Sequence, residues 1–196
     1  MRKSNYNYKY KSLTSKAIEE ELKRETYKSK YIKVLKSTFY ALITIAAVAA
    51  IIATLLMPVL QINGSSMSPN LNEGEIVIAF KTSNIKKGDI IAFYHGNKIL
   101  VKRVIATQGD WVNIDKDGNV YIDGNLLEEP YINNKELGES NITFPIQVPD
   151  GQYFVLGDHR DTSLDSRNEE IGCIKKEDIL GKVIVRVWPI NKINTL

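Results

Sequence analysis

The sequence predicts a mostly β body, with coiled or barrel-like antiparallel sheets, behind a single N-terminal transmembrane helix. Three observations lead there. Residues 39–60 form an uncharged run of 22, long enough to cross a bilayer. Beyond it lie short runs rich in β-branched and aromatic residues, several separated by turns such as Lys87-Gly88-Asp89, Asp117-Gly118 and Asp123-Gly124. Charge divides at the same place: the net +3 resolves into +7 over residues 1–38 and −4 over the rest. The expected organisation is a basic head (1–38), a span (39–60) and a β-rich body (61–196).

The head carries 11 Lys/Arg against Glu19, Glu20, Glu21 and Glu25. Taken alone, a basic segment suits nucleic acid. Here it leads straight into an apolar run, so a membrane is the expected partner and nucleic acid is not. Leu13, Ala17, Leu22, Tyr27, Tyr31 and Leu35 are spaced among the charges, and Glu19–Lys23 and Glu20–Arg24 are i,i+4 pairs of favourable polarity. This predicts a juxtamembrane helix running into the span, with lysines suited to anionic headgroups; a solvated charged helix explains the pattern equally well.

The run FYALITIAAVAAIIATLLMPVL would extend roughly 33 Å as a helix, against a hydrocarbon core of about 30 Å. Basic residues stop at Lys36, which places the N-terminus in the cytoplasm and residues 61–196 outside. The small residues Ala47, Ala49 and Ala50 lie mid-span, and the run exceeds the usual core of a secretory signal. A retained anchor is therefore expected.

In the body, strands are expected over 75–80, 89–94, 99–107, 111–115, 120–123, 153–156 and 182–187, and residues 128–149 read as a long loop. One cysteine, Cys173, excludes an internal disulfide framework, and two histidines, His95 and His159, are too few for a His/Cys metal site. Neither a cofactor nor a metal is expected.

Three segments carry candidate chemistry. In Gly64-Ser65-Ser66-Met67-Ser68-Pro69, Ser66 sits in a turn, and Gly64 leaves room for another backbone to approach. A serine there is an ordinary turn former unless a base activates it. Lys102 shares a strand face with Leu100 and Val104, so burial would lower its pKa and free the amine to act as a base. A lysine guarding a sheet edge gives the same pattern. The third segment, Gly157-Asp158-His159-Arg160-Asp161-Thr162-Ser163-Leu164-Asp165-Ser166-Arg167, is too dense in charge for an ordinary connection.

Together these segments resemble the sequence boxes of the bacterial type I signal peptidases, membrane-anchored serine proteases with a Ser-Lys pair, in their short Gram-positive-like form. Ser66-Met67-x-Pro69 matches the serine box. Lys102-Arg103 followed by Gly109-Asp110 matches the lysine box, the 157–167 segment matches the third, and Lys87-Gly88-Asp89-Ile90-Ile91 resembles an intermediate piece. The likeness covers about residues 39–190. It implies that Ser66 attacks the scissile carbonyl while Lys102 takes its proton. Ser163 would hydrogen-bond the Lys102 amine, Asp165 and Arg167 would brace the loop, and Arg103 would pair with Asp158, a bridge that at the rim is worth under about 1 kcal/mol. The implied substrates are exported precursors with small residues at P1 and P3 (Ala-x-Ala-like). They would add as an extended strand over apolar pockets around Ile62, Met67, Ile99 and Val101.

Departures from the family pattern are local. Gly64 stands where some members carry a hydroxyl that assists the oxyanion hole, leaving the Ser66 N–H as the main donor. His159 and Thr162 replace frequent asparagines, and Thr107-Gln108 replaces a frequent Leu-Pro. His159 beside Asp158 admits a Ser-His-Asp arrangement, although Lys102 already fills the base position. The rivals are a soluble self-cleaving repressor-type protease, which would need a DNA-binding head and no span, and a non-catalytic anchored β-domain that binds exported proteins.

Overall fold

The computed structural model describes residues 15–196. The chain divides into two compact units, one ending at Ile52 and the other running from Ala53 to Leu196. The described part of the first is helical. The helix α1 covers Ser15–Leu56 without a break, so the charged segment and the apolar run form one element. None of its residues is buried against protein, and it is long and apolar enough to cross a membrane. Glu19 and Lys23 pair at 3.0 Å on its exposed surface.

The helix ends four residues before the apolar run does. Pro58 forces the preceding residue out of helical geometry, and Val59 and Leu60 belong instead to β1 (Val59–Gln61), paired antiparallel with β2 (Ile76–Phe80). Apolar content alone could not separate the two elements, because a lipid-facing helix and a sheet strand use the same residues.

The second unit is built on β3 (Ile90–His95), β4 (Lys98–Thr107), β9 (Gln152–Leu156), β10 (Ile174–Lys175) and β11 (Ile179–Trp188), which join β1 and β2 in one large antiparallel sheet. Its order is β1-β2-β11-β3-β4-β9-β10, with β12 (Asn194–Thr195) added on β11. A smaller sheet runs in the order β7-β6-β5-β8, from β5 (Trp111–Ile114), β6 (Val120–Ile122), β7 (Asn125–Leu126) and β8 (Ile146–Gln147). All seven expected strands form. The two-residue strands are too short to leave a periodic trace in the sequence.

Three apolar clusters fill this unit. Ile62, Met67, Leu71, Val77, Ala79, Ile90, Ala92 and Val183 tie the turn after β1 to β2, β3 and β11. Ile91, Phe93, Val104, Val155, Ile171 and Ile174 belong to a second cluster. The third joins the small sheet to β4 and β9 through Ile105, Val112, Val120, Phe154 and Leu156. Successive residues of β3 thus serve different clusters, as strand alternation requires. Both faces of β3 are covered, which makes its neighbour β4 a rigid mount.

Candidate active site

Ser66 lies in the connection between β1 and β2, and two features fix its turn. Gly64 adopts φ +83°, a left-handed conformation natural to glycine, and the space a Cβ would occupy there is open. Backbone conformation, not the expected close approach of another backbone, is what requires Gly64. Met67 next to Ser66 is fully buried, and the Leu71 N–H donates to the Met67 carbonyl at 2.8 Å. The Ser66 carbonyl accepts from the His159 N–H at 3.0 Å, tying the turn to the third segment. Its own N–H donates to no group among the described residues.

Lys102 lies on β4 opposite Ile91, with Leu100 and Val104 packed on the same apolar cluster as Ile91. Its Nζ is 2.7 Å from Ser66 Oγ. Only 3% of the residue is exposed. Burial pulls its pKa down from 10.5 to about 8; Asp165 and Asp158 oppose that shift, and Arg167 adds to it. A buried lysine with a mobile proton against a serine hydroxyl can drive nucleophilic acyl transfer.

The third segment is a cage of satisfied charges. Asp165 Oδ1 accepts from Arg167 Nε at 2.8 Å, while its Oδ2 accepts from the Gly157 N–H and from Arg167, both at 2.9 Å. Arg167 also donates to the carbonyls of Leu137, Arg160 and Ser163. Asp165 and Arg167 thus meet each other and the backbone of the loop they belong to. Arg103 grips Asp158 with two hydrogen bonds, 2.8 and 2.7 Å, and its third arm donates to the Gly88 carbonyl at 2.9 Å. This bridge is not at the rim: the Asp158 side chain is 1% exposed and that of Arg103 12%.

Ser163 departs from expectation. Its Oγ is buried without a hydrogen-bond partner, so it does not bond the Lys102 amine. The reason is local packing. Gly157 has no side chain, and the Ser163 side chain and the Ser66 carbonyl crowd the space where a Cβ would stand. The Ser-His-Asp arrangement does not form either, because His159 is exposed and reaches Ser66 through its backbone alone.

A shallow cleft of about 80 Å³ opens beside the pair, lined by Ile62, Ser66, Met67, Ile99, Val101 and Lys102 among others. All four apolar residues expected around the substrate pockets are there. The sequence reading assigns no role to Glu129, Tyr131 or Asn70, and none to Arg160 beyond its place in the third segment. Glu129 and Arg160 form a fully buried ion pair. Tyr131 donates from its hydroxyl to Glu129 at 2.7 Å and presents its ring to the Arg103 guanidinium, 4.2 Å from the ring centre. Asn70 donates to Asp158 at 2.9 Å. An acid and an aromatic flanking Pro130 are the available signal, within a stretch whose composition otherwise reads as loop. Among the described residues, no group of His, Cys, Asp and Glu is placed to hold a metal ion.

A serine beside a buried lysine is an arrangement that serine hydrolases can use. Comparison with known proteins makes the assignment specific. Residues 35–188 match the family model described as signal peptidase, peptidase S26. Signal peptidase I of Bacillus licheniformis is 36% identical, aligned over 78% of this chain and 88% of that protein. Signal peptidase IB of Staphylococcus aureus is 38% identical over 67% of this chain and 78% of its own length. A solved signal peptidase I from Enterococcus faecalis shares 31% identity over 50% of this chain and 96% of its own, with a TM-score of 0.41. The chain belongs to the S26 signal peptidase family, and is thereby a serine endopeptidase that removes signal peptides. It is a membrane-associated family, and the apolar N-terminal helix suits single-pass anchoring.

Proposed function

We propose that the chain cleaves exported precursors through a Ser66–Lys102 dyad and an acyl-enzyme. The neutral Lys102 amine takes the Ser66 proton as Oγ attacks the scissile carbonyl. The resulting ammonium returns that proton to the leaving amine as the C–N bond breaks, and water then enters with Lys102 again as base. The tetrahedral oxyanion takes up the unpartnered Ser66 N–H. The ammonium formed on Lys102 is favoured by the negative charges of Asp165 and Asp158. The observation that carries this reading is the 2.7 Å approach of Lys102 Nζ to Ser66 Oγ inside a buried site.

The small cleft, with Ile62, Met67, Ile99 and Val101 in its lining, suits small side chains of an extended peptide, which supports Ala-x-Ala-like specificity. The basic segment before the apolar stretch supports a cytoplasmic head (1–38), a span (39–60, its last residues passing into β1) and an extracytoplasmic catalytic domain (61–196). Purified Ser66→Ala and Lys102→Ala are expected to lose precursor cleavage while still fractionating with membranes. Substantial processing by Lys102→Ala would overturn the dyad. Ser163→Ala is expected to lower turnover without abolishing it.

A further inference from the structure

The connection after β7 holds a group of contacts that the dyad reading leaves unused. Tyr131 takes the Asn70 side-chain amide on its carbonyl at 2.7 Å. Its ring packs on Arg103, with the guanidinium carbon 4.2 Å from the ring centre. Its hydroxyl donates to Glu129 at 2.7 Å, and Glu129 forms the buried ion pair with Arg160. Each partner belongs to a different segment of the site. Asn70 lies four positions beyond Ser66, Arg103 is the neighbour of Lys102, and Arg160 belongs to the 157–167 loop.

We infer that residues 129–131 form a strap that holds the nucleophile turn, the lysine strand and the third loop in register, with Tyr131 as its positioning residue. The inference rests on the Ser66–Lys102 reading and deepens it. Three details favour positioning over general packing. First, the partners are polar groups with direction, so the strap fixes orientation as well as distance. Second, the same three segments also meet at Asp158, which takes Arg103 and Asn70 together, so a shift at one end is passed to the others. Third, the Tyr131 ring shields a guanidinium whose partner, Asp158, acts electrostatically on Lys102. Tyr131 does not line the cleft beside Ser66. It works through Arg103 and Asn70.

The test uses full-length protein in detergent and a synthetic precursor peptide, with kcat and KM measured beside thermal unfolding. Tyr131→Leu removes the ring and its hydroxyl, and kcat is expected to fall roughly tenfold with KM within about twofold, the loss of a partly shielded cation–π contact and its consequences for alignment. Tyr131→Phe keeps the ring on Arg103 and is expected to recover most of the turnover. Asn70→Ser, which shortens the donor that reaches both Tyr131 and Asp158, is expected to lower kcat in the same sense and gives a second reading if Tyr131→Leu folds poorly. Parent-like kcat in folded Tyr131→Leu and Asn70→Ser would overturn the strap. So would a loss confined to KM, or equal impairment of the Phe and Leu variants. Failure of the parent chain to cleave the peptide would instead count against the dyad reading, which separates the two failures.

Discussion

Burial of Lys102 carries a cost in stability. Its pKa is lowered to about 8 by burial, so kcat/KM is expected to rise with pH and level off above a midpoint near 8. A steady-state pH series on a soluble peptide checks this, and a flat profile between pH 6 and 9 would contradict it. The stability effect follows from the same shift. The unfolded lysine titrates near 10.5 and the folded one near 8, so the unfolded chain binds more protons in that window. Stability therefore rises with pH from 8 to 10.5, and below 8 the folded state carries the full penalty of a buried ammonium. Lys102→Met is expected to unfold later in denaturant at pH 7, by roughly 3 kcal/mol, with the gain shrinking as pH rises. Gly157 makes the opposite demand: Gly157→Ala drives a methyl group into Ser163 and the Ser66 carbonyl, at about 1–3 kcal/mol and with loss of cleavage. The tendency of Lys102 to lose its charge was legible from Leu100 and Val104 on either side. The orphaned Ser163 hydroxyl was not, because its direction depends on the gap left by a glycine six positions earlier.

At the level of elements, β4 and the 157–167 loop are joined by a bridge that is nearly closed to solvent. Removing one partner leaves the other charge buried, so Asp158→Ala is expected to destabilise by about 3–5 kcal/mol and to reduce cleavage, measured by denaturant unfolding and peptide hydrolysis. A change below about 1 kcal/mol would make the bridge no more than a rim ion pair. The long strands could be read in the sequence because alternation and turn residues agree over five or more positions. β1 was hidden, since its Val59 and Leu60 continue an apolar run that lipid would equally accept. The strap at 129–131 was hidden for another reason. Its value lies in three partners that are 61, 28 and 31 positions away (Asn70 and Arg103 from Tyr131, Arg160 from Glu129), and no local pattern reports contacts of that range.

The β unit from Ala53 onward has its own apolar clusters, and the described residues before it add none. A chain lacking residues 1–52 is expected to melt at the same temperature as the full-length protein and to cleave a soluble peptide, while losing membrane association; calorimetry and vesicle flotation read the two properties separately. A marked drop in melting temperature would mean that α1 contributes to the fold. One feature of the sheet also bears on when the enzyme becomes active. Ser66 belongs to the hairpin of β1 and β2, Lys102 to that of β3 and β4, and in the sheet the two hairpins meet only through β11. Ser66 and Lys102 both precede in the sequence the strand that joins their two hairpins in the sheet. A chain that stops before Ile179 is therefore expected to lack peptide cleavage although it carries both Ser66 and Lys102, which hydrolysis of a synthetic precursor peptide checks.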